Sequence, residues 1–104
     1  MREPTYYTLA ALMDGPLHGY SIIKRAHQLS NGTVRVAVGT LYAALGRLRD
    51  VGLVEVDGVE IVNGRARRYY RLTVSGRQAL RAEAERMVRA AGVVTSRQPG
   101  LVRS

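Results

Sequence analysis

The chain has no cysteine, no tryptophan and no phenylalanine, only three prolines, and aromatic side chains that are tyrosines alone. Without cysteine there is no disulfide, no thiolate nucleophile and no zinc site built on sulfur. A chain of 104 residues lacking such staples is held by packing alone, and domains of this size gain by pairing with a second copy. No apolar run approaches the roughly 18 residues of a membrane span, and no basic segment leads into a signal-peptide core. A cytoplasmic protein with no metal and no cofactor is the expectation.

What is present is a foldable and strongly basic chain. Hydrophobic residues make up 46% and charged residues 23%, outside the range of disordered sequences. The net charge is +8, and fifteen of the sixteen basic residues are arginine. Arginine offers a planar donor fork that suits phosphates and guanine edges. The charge is also uneven: residues 1–59 carry six basic and five acidic side chains, residues 60–104 ten and three. An anionic partner for the second half is one reading; an excess that serves solubility alone is the other.

Element signals run in a definite order. Pro4 suits a first helical turn, and Tyr6, Leu9, Ala10 and Met13 recur at helical spacing. Asp14-Gly15-Pro16 breaks that helix. A second runs from about His18 to Leu29, with Tyr20, Ile23, Ala26 and His27 on one face and Lys24, Arg25 and Gln28 on the other. Asn31-Gly32 ends it. Thr33–Val36 is rich in β-formers and reads as a short strand. A third helix follows, about Val38 to Val51, with Leu41, Leu45 and Leu48 as its buried stripe and Gly52 at its C-terminal end.

Leu53–Asp57 and Arg67–Thr73 read as paired strands around Asn63-Gly64. A two-residue turn would put Glu55 and Asp57 on the face of Tyr70 and Leu72. A three-residue loop, Val62-Asn63-Gly64, instead opposes Val56 to Tyr70, Val54 to Leu72 and Glu55 to Arg71. The second register is expected because it keeps apolar residues inward and ion pairs outward, unless Gly58 forms a bulge and changes the count. Thr73 then caps a last helix whose stripe is Leu80, Ala84, Met87, Val88 and Ala91. That stripe needs a partner subunit to cover it or must fold back on its own domain. Ser96-Arg97-Gln98-Pro99-Gly100 reads as a frayed tail.

Three helices followed by a basic hairpin is the winged helix-turn-helix layout, a mainly α (α+β) fold. On the third helix Gly39, Ala43, Gly46, Arg47 and Asp50 lie opposite the leucine stripe. Two glycines there cost about 1 kcal/mol each relative to alanine and do nothing for the core. Small residues let a helix approach base edges, where Ala43 can meet a thymine methyl and Arg47 can fork onto guanine. Thr40 and Tyr42 flank this face and suit hydroxyl contacts to phosphate, although packing is an equal reading for Tyr42. Arg65, Arg67, Arg68 and Arg71 cluster on the hairpin. Arg65 and Arg67 are assigned to DNA, Arg71 to Glu55 and the stem of Arg68 to shielding the core.

His18-Gly19-Tyr20 with Ile22-Ile23, Gly39-Thr40-Leu41-Tyr42 with Leu45 and Leu48, Gly52-Leu53, and Arg67-Arg68-Tyr69-Tyr70-Arg71-Leu72-Thr73 with Gly76 resemble the PadR family of bacterial transcriptional regulators. The resemblance runs from residue 5 to about residue 90. It implies a winged-helix DNA-binding unit over residues 1–73 and a C-terminal dimerisation helix over 74–92 as in the short PadR subfamily; the composition of the last stretch adds the expectation of a disordered tail over 93–104. The resemblance also implies a homodimer on a palindromic site of double-stranded DNA, acting as a repressor. Two positions depart from the family pattern: Ala37 stands where a serine often precedes the recognition helix, and Ala43 where proline usually follows Leu-Tyr. The resemblance further implies a small aromatic effector. With no Trp or Phe and no aromatic residue in the last helix, an interfacial pocket would draw on Tyr6, Tyr7, Met13 and Met87, and weak or no binding of flat compounds is expected.

Nothing in the chain points to an enzyme. His18 and His27 have no acid, serine or second histidine nearby in sequence, Glu83 and Glu85 read as a solvated face with Glu85 four residues before Arg89, and no glycine-rich phosphate loop is present. A sequence-neutral nucleic-acid or architectural protein, and a protein-interaction module, are the remaining classes.

Overall fold

The computed structural model describes residues 1–97. The elements are α1 (Glu3–Ala11), β1 (Leu17–His18), α2 (Gly19–Leu29), α3 (Val38–Asp50), β2 (Val54–Val62), β3 (Arg65–Leu72) and α4 (Val74–Thr95). Helices dominate, and the strands form one antiparallel sheet in the order β1-β3-β2. One core joins them, built on Leu9, Leu12, Ile22, Leu41, Leu45 and Val54, with Tyr70, Leu72 and Leu80 closing it from the sheet and α4.

Pro4 opens α1 as expected, but the face that α1 buries is turned. Thr8, Leu9 and Ala11 are buried, with Leu12 just beyond, whereas Met13 is exposed and Tyr6 and Ala10 are half-buried. The helix is clasped by α2 on one side and α4 on the other. A single apolar stripe is the wrong template for a helix covered from two directions.

The second helix buries Gly19, Ile22 and Ala26. Tyr20, placed on the inner face by its spacing, is instead 68% exposed. Asn31 at φ 54° closes the helix in the left-handed conformation. The amides of Gly32 and Asn31 return to the carbonyls of His27 and Gln28 at 2.7 and 3.1 Å, a Schellman ending.

No strand forms at Thr33–Val36. The Ser30 hydroxyl, itself buried, accepts from the Val34 amide at 2.9 Å, and the Thr33 hydroxyl donates to the Ser30 carbonyl at 2.8 Å. These bonds tie the segment to the end of α2 and send Val34 into the interior, so β propensity finds no ladder to join. α3 then buries Leu41, Leu45 and Leu48 as expected. It ends in a second Schellman motif, with Gly52 at φ 77° and amide bonds from Leu53 to Leu48 and from Gly52 to Arg49.

The hairpin has the expected register at its base and an unexpected turn at its tip. Val54, Glu55 and Val56 face Leu72, Arg71 and Tyr70. At the tip Val62 pairs with Arg65, so the loop is the two residues Asn63-Gly64, both left-handed at φ 51° and 75°, and not the three-residue loop. A bulge between Val56 and Val59, with Gly58 at φ 108°, inserts the extra residue that restores parity. A third strand, β1, pairs Leu17 and His18 with Tyr70 and Tyr69 and makes β3 central.

Thr73 caps α4 by accepting from the Gly76 amide at 2.9 Å. The helix runs to Thr95, so Val93, Val94 and Thr95 are helical and not part of a tail. The rest of the proposed tail, from residue 98 on, lies outside the described residues.

Candidate nucleic-acid interface

The exposed side of α3 is as small as its sequence implies. Gly39, Thr40, Ala43 and Arg47 are exposed, and a Cβ added at Gly39 or Gly46 would meet nothing within 4 Å. Neither glycine is therefore required by packing inside the subunit. The N-cap of α3 is Ala37, with no side-chain bond to the first turn. The α3 amides are left to water or a ligand there.

Tyr42 is 46% exposed and leans across the start of α2. A Cβ on Gly19 would fall 2.5 Å from the Tyr42 hydroxyl. The missing side chain of Gly19 thus lets the phenol rest against the first turn of α2, half packed and half presented. Tyr20 lies beside it on the same open cleft, facing Arg65 and Arg67 of the wing. Sequence spacing missed Tyr20 as a surface residue, and the glycine just before it marks the close approach of Tyr42 instead.

On the wing, acids are interleaved with the arginines. Arg71 Nη2 lies 3.2 Å from Glu55 Oε2, the cross-strand pair expected, and its Nε 4.0 Å from Asp57 Oδ1. Arg67 Nη1 is 3.9 Å from Glu60 Oε1, and the Tyr69 hydroxyl donates to the same oxygen at 3.1 Å. Ion pairs among the described residues therefore engage Arg67 and Arg71 and leave Arg47 and Arg65 uncommitted. Exposed pairs of this kind are worth no more than about 1 kcal/mol, so a phosphate can displace Glu60 from Arg67. Arg68 is exposed opposite Val59. On α4, Glu83 binds Arg86 at 2.6 and 3.2 Å, a pairing three residues apart where Glu85–Arg89 was expected. Bonding to Arg86 holds the Glu83 carboxyl below its usual range.

His18 forms the N-cap of α2 and the floor of the cleft. Its Nε2 is 2.9 Å from the Ser21 hydroxyl, and its ring meets Tyr69 edge to face at 5.5 Å. Burial, and then the charge of Arg67, hold the ring below the usual histidine range, against a smaller opposing effect of Glu60. Among the described residues no three His, Asp or Glu side chains come together as a metal site, and no helix is long and apolar enough to cross a membrane.

The proposed dimer residues differ in placement. Leu80 is 4% exposed and belongs to the core of its own subunit. Ala84 and Met87 are half-buried, whereas Ala91 is exposed and Val88 is 71% exposed. Tyr6, Ala10, Met13, Leu80 and Ala84 line an apolar hollow of about 240 Å³ between α1 and α4.

The sequence profile described as the Transcriptional regulator PadR-like family matches residues 8–82. The chain belongs to the PadR-like family of transcriptional regulators. It is 45% identical over 67 residues to a transcriptional regulator of Mycobacterium tuberculosis, covering 64% of this chain and 59% of that protein. It is 41% identical over 86 residues to an uncharacterized 37.1 kDa protein in transposon TN4556 of Streptomyces fradiae, covering 83% of this chain and 23% of that one. The chain thus spans less than two thirds of each of these relatives. Bacillus subtilis PadR in complex with operator DNA shares the fold with a TM-score of 0.70 and 26% identity, over 80% of this chain and 47% of that one. The winged helix is the PadR-like fold, and it brings Tyr42 of α3, the start of α2 and the wing onto one cleft.

Proposed function

We propose that this PadR-like chain is a sequence-specific DNA-binding regulator, a repressor that acts as a homodimer on a palindromic operator. The observation that carries the reading is the outer face of α3, small at Gly39, Ala43 and Gly46 and bearing an uncommitted Arg47, next to a wing whose Arg65 is also uncommitted. A helix face without bulk that spends stability on two glycines is suited to the major groove, where Arg47 reads guanine and Ala43 a thymine methyl. Gly39 lets the helix end approach the bases, Thr40 and Tyr42 hold phosphates, and Arg65 and Arg67 follow the adjacent backbone or minor groove. That Bacillus subtilis PadR has been solved with operator DNA supports the same mode of docking.

In this reading residues 1–73 are the DNA-binding unit, and α4 supplies the second half of a two-fold dimer. Ala84, Met87, Val88 and Ala91 give it an apolar strip that its own subunit leaves largely open, and Leu80 anchors the strip to the core. Two-fold symmetry places half-sites about 10 base pairs apart or at a multiple of it. The protein works in the cytoplasm without catalysis. Of the four residues expected to serve an aromatic effector, Tyr6 and Met13 line the hollow between α1 and α4, where Arg77 and Arg81 join them, while Tyr7 and Met87 line a separate recess; weak or no binding of flat compounds remains the reading.

The test is selection of genomic fragments with purified protein at about 150 mM salt, which suppresses the nonspecific phosphate contribution, followed by footprinting. One enriched palindromic motif is the expected result. Uniform recovery without a motif would overturn sequence-specific regulation in favour of an architectural role.

A further inference from the structure

The cleft between the wing and the helix-turn-helix has a volume of about 530 Å³ and carries more chemistry than its arginines. One wall is the start of α2 with Tyr20, joined by Tyr42 from α3; the other is the wing with Arg65 and Arg67; His18 lies between them. We propose that this cleft seats a phosphate of the DNA backbone, and that His18 takes up a proton as the phosphate enters. The inference rests on the DNA-binding reading above and adds to it a pH-dependent grip.

Three observations carry it. First, His18 is ringed by groups that answer to an incoming anion: Arg67 and Arg65 from β3, Glu60 from β2, the Tyr69 ring, and the Ser21 hydroxyl from its own helix. Second, in the free protein burial and Arg67 keep the ring neutral near pH 7, so the site has a proton to gain. Third, Glu60 Oε1 is shared by Arg67 and the Tyr69 hydroxyl. A phosphate that draws Arg67 away from Glu60 neutralises Arg67, leaves the Glu60 carboxylate free to act on His18, and adds a negative charge of its own. All three changes favour the imidazolium.

The sign follows from linkage. A site that binds a proton more tightly in the complex than in the free protein gains DNA affinity as pH falls. A phosphate charge at about 5 Å makes protonation on the order of tenfold more favourable at a dielectric between those of bulk water and a protein surface, which sets the scale of the gain per protomer. The gain develops between the protonation range of His18 in the complex and its lower range in the free protein.

The experiment measures binding of a labelled mixed-sequence duplex by fluorescence anisotropy from about pH 8 to about pH 5.5, the window in which histidine titrates, at fixed ionic strength. The wild-type chain is expected to bind up to about tenfold more tightly per protomer at the acid end. His18→Gln, which keeps a polar group within reach of Ser21, is expected to lose that response, and His27→Gln to keep it. Should His18→Gln fail to fold, the imidazole resonances of the wild-type protein give the same answer. The His18 titration is expected to move to higher pH on adding the duplex.

A pH response that survives His18→Gln, or a His18 titration that DNA leaves unmoved, overturns the inference and leaves the DNA-binding reading standing. An equal shift on adding inorganic phosphate alone assigns the cleft to the free ion and overturns it as well. Failure of the wild-type chain to bind any duplex at any pH overturns both readings.

Discussion

Gly76 is the residue on which the joint between the DNA-binding unit and α4 depends, and Gly76→Ala tests that dependence. A Cβ at this position would lie 1.9 Å from the Leu53 carbonyl oxygen and 2.9 Å from its carbon. Ordinary C···O contacts begin near 3.3 Å, so the backbone on one side must move by more than about 1 Å. Nothing nearby is free to move. The Leu53 carbonyl accepts from the Thr73 amide at 3.1 Å, and the Leu53 amide closes α3 by binding the Leu48 carbonyl at 2.9 Å. The Thr73 hydroxyl donates to the Gly52 carbonyl at 2.5 Å while accepting from Gly76. Overpacking of about 1–3 kcal/mol and loosening of two or three hydrogen bonds at about 1 kcal/mol each oppose a gain of about 1 kcal/mol in helix propensity. The net loss is about 2–5 kcal/mol, which lowers the melting temperature of a domain this size by about 10–25 °C. Thermal melts followed by circular dichroism at one protein concentration make the measurement. Gly46→Ala is the control, because its Cβ meets open space; it is expected to raise the melting temperature by about 4 °C through helix propensity alone. A Gly76→Ala protein that melts within a few degrees of wild type, or above it, would refute the argument.

The remaining predictions concern the cap, the reading head, the dimer and acid stability. Ala37→Ser supplies the missing N-cap of α3 and is expected to stabilise the fold by about 0.5–2 kcal/mol in urea titrations. Arg47→Ala should cost about 1–3 kcal/mol on the selected operator and little on scrambled duplexes, whereas Arg67→Ala should weaken both alike and reduce the salt slope by about 1. Equal losses on both duplexes for the two variants would contradict these roles. Val88→Asp should leave the subunit folded and shift sedimentation from dimer to monomer, because Val88 is largely exposed within its own chain. His18 titrates below its usual value of 6.5 in the folded state. The unfolded chain therefore takes up the proton first, and stability should fall as pH drops through about 6.5, levelling off below the folded value. The melting temperature of His18→Gln should depend less on pH across that range.

How much of this was legible in residue order depends on how local each cause is. The inner stripe of α3 was legible, because Leu41, Leu45 and Leu48 at helical spacing face one core. So were the Thr73 cap, the register of Val54 and Val56 against Leu72 and Tyr70, and the Glu55–Arg71 pair. The register survived a wrong turn: the chain makes a two-residue turn and a bulge at Gly58 where a longer loop was read, and both routes give the same parity. Where the pattern of buried and exposed positions is the only constraint, two backbones satisfy it equally.

The sequence by itself determined the helix order, the basic hairpin, the small outer face of α3 and the family, because each lies in nearest neighbours or in spacing along one element. Only the tertiary structure decided that Thr33–Val36 is not a strand, that β1 completes the sheet, that α1 is clasped on two sides and that Tyr20 faces outward into the wing cleft. β1 needs the ladder on β3, α1 the side of α4 and Tyr20 the wing across the cleft, all distant in the chain, whereas Thr33–Val36 is diverted by side-chain bonds to Ser30 that β propensity does not register. Gly76 makes the point most sharply, since its place in a helix argues for alanine and only the Leu53 carbonyl across the joint requires glycine.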